Sequence, residues 1–126
     1  MLKVLIVEDS IEVQRRLVDM LSSAHKVQVV GCATTAMQAL ALARQWCPDV
    51  VVLDVSLRDG DRGYTVLRSL THLCPNCEVV MLSNFTWSSM RDGFLKAGAC
   101  AYFDKAFEFS KARDWILERA IGRNAN

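Results

Sequence analysis

Five short apolar runs alternating with five amphipathic stretches predict an α/β fold: a three-layer, doubly wound (βα)5 sandwich on a five-stranded parallel sheet. The runs are apolar without alternation, as in "VLIV" at 4–7 and "VVVL" at 50–53. A strand of that kind is covered on both faces, which places it in a parallel sheet between two helical layers. The stretches between the runs repeat apolar residues at helical spacing and are long enough to cross back over the sheet. Right-handed crossovers leave few topologies, and the order 2-1-3-4-5 is a common solution at this length. With 126 residues, 52% of them hydrophobic, the chain can fill one core of this kind and has no room for a second.

Each element has its own signal. After the first strand, Asp9 or Ser10 caps a helix whose apolar face is Val13, Leu17, Met20, Leu21 and Ala24. The second strand is "VQVVGC" at 27–32. Thr35-x-x-Gln38 then reads as a capping box opening a helix with Ala36, Leu40, Ala43 and Cys47 on one face, stopped before Pro48. The third strand is 50–53. Val66, Leu67, Leu70 and Leu73 mark a helix over 64–73 that ends before Pro75. "EVVML" at 78–82 is the fourth strand, followed by a helix over 87–97 (Met90, Phe94, Ala97) that stops at Gly98. "CAYF" at 100–103 is the fifth, followed by a helix over 107–121 (Phe109, Ala112, Ile116, Ala120) that stops at Gly122. The expected arrangement is flavodoxin-like, with one domain over 1–122, a frayed end at 123–126 and no output domain within these residues. Cys32, Cys47, Cys74, Cys77 and Cys100 are odd in number and lie mostly in apolar runs, so they read as small core residues and not as a disulfide framework. Trp46 and Trp115, at apolar helical positions, read as core or semi-core.

Several function classes drop out on composition. The net charge is +1, and Arg15, Arg16, Lys111, Arg113, Arg119 and Arg123 spread as solvated helix faces, whereas phosphate-backbone affinity needs clustered cations. Direct DNA binding is therefore not expected. "MLKVLIVEDS" lacks the cleavage site of a secretory signal, and no run approaches the ~20 apolar residues of a membrane span. A cytoplasmic location is the expectation.

In a sheet of this order the ligand crevice lies beyond the carboxyl ends of the strands, where the first and third diverge. Glu8 and Asp9 follow the first strand, Asp54 the third, Ser83 ends the fourth, and Asp104 and Lys105 follow the fifth. Three carboxylates at one mouth repel each other unless a cation sits among them. Mg²⁺ suits oxygen ligands and keeps coordination sites for phosphoryl oxygens. Lys105 adds a mobile point charge and Ser83 a hydroxyl, so the set reads as a metal-assisted phosphoryl site with a carboxylate nucleophile.

At that point the chain resembles the receiver domains of two-component response regulators. "VLIVEDS" is similar to that family's acidic-pair strand, "PDVVVLDVSL" to its phosphoacceptor strand, "VVMLSN" to its Ser/Thr switch strand and "KAGACAYFDKA" to its Gly-Ala-x-x-Tyr-x-x-Lys segment. The resemblance covers nearly the whole chain, with about 45 residues from the acidic pair to Asp54 and about 50 onward to Lys105.

It implies a phosphoprotein in which Asp54 takes a phosphoryl group from a sensor histidine kinase or a histidine phosphotransfer protein. It implies Mg²⁺ on Asp9, on Asp54, on Glu8 through water and on the backbone carbonyl of Ser56. Lys105 would pair with the phosphoryl group, Ser83 would swing to bond it, and Tyr102 would turn inward. The face of the fourth helix, fifth strand and fifth helix would then control a downstream protein and pair copies weakly. Such a protein assists its own phosphorylation and dephosphorylation without being a conventional enzyme.

The chain departs from the family in three places. Arg58 stands where proline is common, in a loop about one residue longer before Gly63. Ala106 replaces the proline that usually follows the lysine, and Asn84 stands where a small residue is preferred. These departures motivate the alternative of a phosphorylation-independent pseudo-receiver, an interaction module that kept the pocket residues. Arg58, Asp59, Asp61 and Arg62 read as a solvated loop. Cys74-Pro75-Asn76-Cys77 follows a helix where a redox dithiol would precede one, so it reads as a turn with incidental thiols.

Overall fold

A computed structural model describes residues 1–85 and 87–124. The element order is β1 (Leu2–Val7), α1 (Ile11–Ser22), β2 (Val27–Ala33), α2 (Ala36–Trp46), β3 (Val50–Leu53), a 3₁₀ turn (Arg58–Gly60), α3 (Gly63–Leu73), β4 (Glu78–Ser83), α4 (Ser88–Lys96), β5 (Ala101–Asp104) and α5 (Phe109–Asn124). The five strands form one parallel sheet in the order β2-β1-β3-β4-β5. This is the predicted flavodoxin-like sandwich.

Strand alternation divides the core in two. Leu5, Val7, Val51, Leu53, Val79 and Met81 face Ala39 and Ala43 of α2, Val66, Leu67 and Leu70 of α3, and Phe94 of α4. Val4, Ile6, Val50, Val52, Val80 and Leu82 face Leu17 and Leu21 of α1 and Phe109, Ala112, Ile116 and Ala120 of α5. Because β1, β3 and β4 are buried on both sides, their sequences carry no polar beat.

The caps follow the sequence with one variation. Ser10 accepts from the Val13 N–H (3.4 Å) and Thr35 from the Gln38 N–H (3.2 Å). The Gln38 carboxamide reaches back to the Thr34 N–H (2.9 Å), one residue earlier than a capping box requires.

Four expectations need correction. α5 continues through Gly122 to Asn124, since a glycine in a helical backbone costs only ~1 kcal/mol against alanine and does not stop it. Residues 125–126 of the expected frayed end, and the side chain of Arg123, lie outside the described residues. The buried face of α2 is centred on Ala39 and Ala43, with Cys47 exposed in a left-handed C-cap (φ 45°). Trp46 is exposed beside it, whereas Trp115 is half-buried against the α5 core. None of the cysteines is a core residue: Cys32, Cys47 and Cys100 are exposed, and Cys74 and Cys77 are half-buried. β2 and β5 are the sheet edges, so an apolar run on or beside them need not be covered on both faces. All five thiols are free. No helix among the described residues is long and apolar enough to cross a membrane.

Gly63 links fold to site. Its N–H donates to the Val55 carbonyl at 2.7 Å, and a Cβ built there would run into the carbonyl oxygen of Asp54. The obstacle is backbone at the end of β3, which cannot swing aside as a side chain would. Gly63→Ala is therefore expected to destabilise the fold by ~1–3 kcal/mol, read as a lower urea midpoint at unchanged slope. An unshifted midpoint would show that α3 can slide away from the acceptor strand.

Candidate functional site

The mouth of the sheet is built by backbone hydrogen bonds that fix each strand end. The Glu8 N–H donates to Ala33 (2.9 Å), the Asp54 N–H to Val7 (3.0 Å) and the Lys105 N–H to Ser83 (2.8 Å). These bonds bring Glu8, Asp54, Ser83 and Lys105 together although they are far apart in sequence. Glu8, Asp54 and Ser83 are buried and Lys105 is half-buried.

Lys105 is the hub. Its Nζ lies 2.6 Å from Glu8 Oε1 and 3.0 Å from Asp54 Oδ2. The other oxygens of both acids accept backbone N–H groups: Glu8 Oε2 from Ser10 at 3.0 Å and Asp54 Oδ1 from Val55 at 2.7 Å. Asp9 lies beside them, half-buried, and carboxylate oxygens of Glu8, Asp9 and Asp54 lie within 4.8 Å of one another. This all-oxygen donor set matches a hard divalent cation and no soft one. The Asp9 carboxylate makes no hydrogen bond or ion pair among the described residues, so it is the group freest to be a direct ligand. Glu8, held at both oxygens, fits a ligand acting through water. Ser56 stands in an antiparallel bridge with Arg62. The hydrogen bonds of that bridge run through Val55 and Leu57 and leave the Ser56 carbonyl out.

The electrostatics follow from one lysine among three acids. Burial pushes the Glu8 carboxyl up. The Lys105 and Ser10 bonds pull it back and the Asp54 charge adds to the rise, leaving it at about 7 against an ordinary 4.5. For Lys105, burial disfavours the charged form, but the bond to Glu8 and the charge of Asp54 outweigh it and hold the ammonium above its usual range.

Ser83 Oγ accepts from the Phe85 N–H at 2.9 Å. Tyr102 is already buried, with its hydroxyl donating to the Phe85 carbonyl at 2.5 Å. The ring thus takes the inward position in this structure. Asp104 turns away from the mouth and accepts from the Ala106 N–H (2.8 Å), which fixes the turn where the family has proline. The Lys105–Ala106 bond is trans.

The β3–α3 loop contains what the sequence did not show. Asp59 and Gly60 both take positive φ (64° and 77°), and the Leu57 N–H closes the turn on Asp61 (2.9 Å). Asp61 is not simply solvated, because its carboxylate accepts from the Ala36 N–H at the start of α2 (2.7 Å). Arg58 donates from its backbone to Thr34 (3.1 Å) and from its guanidinium to the Asp9 carbonyl (3.4 Å). Gln14 donates to the Glu8 carbonyl at 2.6 Å. The extra loop residue was the only sequence signal for any of these contacts.

A second hollow, at the opposite end of the strands, is lined by Pro48, Asp49 and the Cys74–Cys77 turn. Burial, with neighbouring thiols and acids, pushes Cys77 up to about 12. That holds it as an unreactive thiol, in keeping with the turn reading.

The response regulator receiver domain family model matches residues 4–116. The chain is 37% identical over 126 residues to protein-glutamate methylesterase/protein-glutamine glutaminase 1 of Pseudomonas aeruginosa, an alignment that takes in 94% of this chain and 34% of that one. It is 36% identical over 124 residues to the DNA-binding transcriptional activator DevR/DosR of Mycobacterium tuberculosis, covering 98% of this chain and 57% of that one. It thus spans about a third of one relative and a little over half of the other. In structure it matches the response regulator domain of Thermotoga maritima CheB with a TM-score of 0.82 at 23% identity, over 97% of this chain and 95% of that one.

The raised Glu8 carboxyl gives a stability test in metal-free protein. An acid whose folded pKa exceeds its unfolded one contributes stability below pH 4.5 that is lost as pH rises toward 7. At ~1.4 kcal/mol per pKa unit, the loss is on the order of 1–3 kcal/mol. With EDTA present, the melting temperature of the wild type should fall relative to Glu8→Gln between pH 5 and pH 8. Parallel melting curves across that range would show that the Lys105 contact fully offsets burial.

Proposed function

The chain belongs to the response regulator receiver family, and from that membership we propose that Asp54 accepts a phosphoryl group from a sensor histidine kinase or histidine phosphotransfer protein. The carrying observation is the Lys105 ammonium bridging Glu8 and Asp54 beside a free Asp9 carboxylate. Asp54 attacks phosphorus, the phosphorus–nitrogen bond of the donor imidazole breaks, and the nitrogen keeps the electron pair and takes up a proton. Lys105 holds the acceptor oxygen in place and meets charge developing on the phosphoryl oxygens. Ser83, whose Oγ accepts from the Phe85 N–H and whose hydroxyl also contacts that of Tyr102, would turn its proton to a phosphoryl oxygen. Asp9 and Asp54 would hold Mg²⁺ directly, Glu8 would act through water, and the Ser56 carbonyl would complete the protein ligands. When bound, the ion neutralises the carboxylates and the incoming phosphoryl oxygens.

Phosphorylation adds charge and acceptor oxygens at the ends of β3 and β4. Ser83 and Lys105 are the residues whose contacts then differ between states, and Tyr102 is bonded to the same loop. The readout is the α4–β5–α5 face, acting in the cytoplasm on a partner protein and pairing weakly with its own copy.

Intact mass after incubation with phosphoramidate tests this. The wild type with Mg²⁺ should gain one phosphoryl group. EDTA or Asp54→Asn should abolish the gain, and Lys105→Ala should slow it at least ~10-fold, the loss of one charge-assisted contact. Ser83→Ala should still take up phosphate while losing the accompanying change in Trp87 fluorescence. No adduct on the wild type would favour an interaction module that works without phosphorylation.

A further inference from the structure

Helices α3 and α4 enclose a groove of about 710 Å³, which reaches Ser56 and Phe85 at its phosphoacceptor end and is otherwise lined by residues that the phosphoacceptor reading does not use. Its wall and floor are apolar: Tyr64 is exposed and meets Phe94 edge-on at 6.0 Å, and Met90 lies half-buried beside them. Arg62, Arg68 and Lys96 line it too, and none of the three makes an ion pair among the described residues. The one acid of α4, Asp92, is not part of its lining. An apolar cleft with an unanswered cationic rim complements an acidic partner that carries apolar anchors.

Gly93 is the second observation. It sits in mid-α4 on the groove, where glycine costs roughly 0.5–1 kcal/mol against alanine. A Cβ there would meet nothing within 4 Å. No contact among the described residues therefore requires the glycine, and its effect is to leave that part of the groove lining bare for close approach from outside. The groove lies between two helices and away from the free sheet edges β2 and β5, so an added strand would find no backbone to pair with.

We propose that this groove docks an acidic amphipathic helix of a partner protein, its apolar anchors against Phe94, Met90 and Gly93 and its carboxylates against Arg62, Arg68 and Lys96. The surface is distinct from the α4–β5–α5 face. Through Phe94, packed 5.9 Å from Tyr102, and the Tyr102–Phe85–Ser83 hydrogen bonds, it also adjoins the phosphoacceptor site. The docking surface itself does not depend on the phosphoacceptor reading.

The test selects binders to the wild-type chain from a displayed library of random helical peptides and measures each by fluorescence anisotropy. Selected peptides should carry acids flanking apolar residues spaced at i and i+4. Their affinity should fall at least ~10-fold for Gly93→Leu, which fills the groove, and for Arg68→Glu/Lys96→Glu, and it should weaken with salt. Gly93→Ala, expected to melt no lower than the wild type, controls for folding and should weaken binding less than Gly93→Leu. Both glycine variants should still gain a phosphoryl group from phosphoramidate, so a failed acceptor and a failed groove give separate signatures. Recovery of no binders, of basic ones, or of binders indifferent to Gly93→Leu would overturn the proposal.

Discussion

The ammonium of Lys105 is the contact on which the rest of the site depends. It lies within 3.0 Å of carboxylates from the ends of two other strands. Without it, two buried acids would face each other across the β1–β3 seam beside a third. Removing one partner of a buried charge pair leaves the other uncompensated, at a cost of several kcal/mol. The sheet therefore closes its carboxyl end by one ion-pair triad. The same triad leaves the Asp9 carboxylate without a partner among the described residues, so the cluster keeps an oxygen donor set suited to a hard divalent cation.

Parallel topology makes this arrangement available. Each strand leaves the sheet at the same end, so five chain segments converge there while the helices cover both faces. The turn at Arg58–Asp61 shows how the convergence is held. Asp61 caps α2, Arg58 reaches the Thr34 and Asp9 carbonyls, and the loop after Asp54 is pinned to its neighbours across the mouth. At the β5–α5 turn the Asp104 carboxylate holds the Ala106 and Phe107 N–H groups where the family has proline.

What could be read from the sequence followed from periodicity and from strand ends. Unbroken apolar runs mark β3 and β4 to within a residue and all of β1 but its first two residues, and the strand order alone places Glu8, Asp54, Ser83 and Lys105 in one mouth. The errors fall where burial is decided by neighbours distant in sequence. Cys32 lies in an apolar run like those of the central strands, yet β2 is an edge and the thiol faces solvent. Trp46 falls at an apolar helical position but sits on the last turn of α2, past the sheet's cover. The Asp59-Gly60 pair marks the turn locally through its positive φ, but the Asp61 cap and the Arg58 contact depend on where that turn closes against α2 and β1, which no local pattern encodes. The groove at Gly93 is likewise a property of two helices packed side by side.

The position of Tyr102 constrains how any signal leaves the acceptor. A ligand shifts a conformational equilibrium only by what it binds differently in the two states. In this structure the ring is buried and bonded to the Phe85 carbonyl, which couples it to the entrance of α4. The groups still able to change partners are the Ser83 hydroxyl proton and the Lys105 ammonium, which would give up Glu8 or Asp54 for a phosphoryl oxygen. Ser83 is tied to the Phe85 N–H and Tyr102 to the Phe85 carbonyl. A change at either is therefore felt first by the backbone of one residue at the entrance to α4, whose ring stacks on Trp87 at 5.7 Å. A coupling of ~1–3 kcal/mol at that residue is enough to alter partner affinity roughly 5- to 150-fold. The β4–α4 junction and the Tyr102 ring, joined at Phe85, are thus the parts of the chain that a phosphoryl group on Asp54 would reach first.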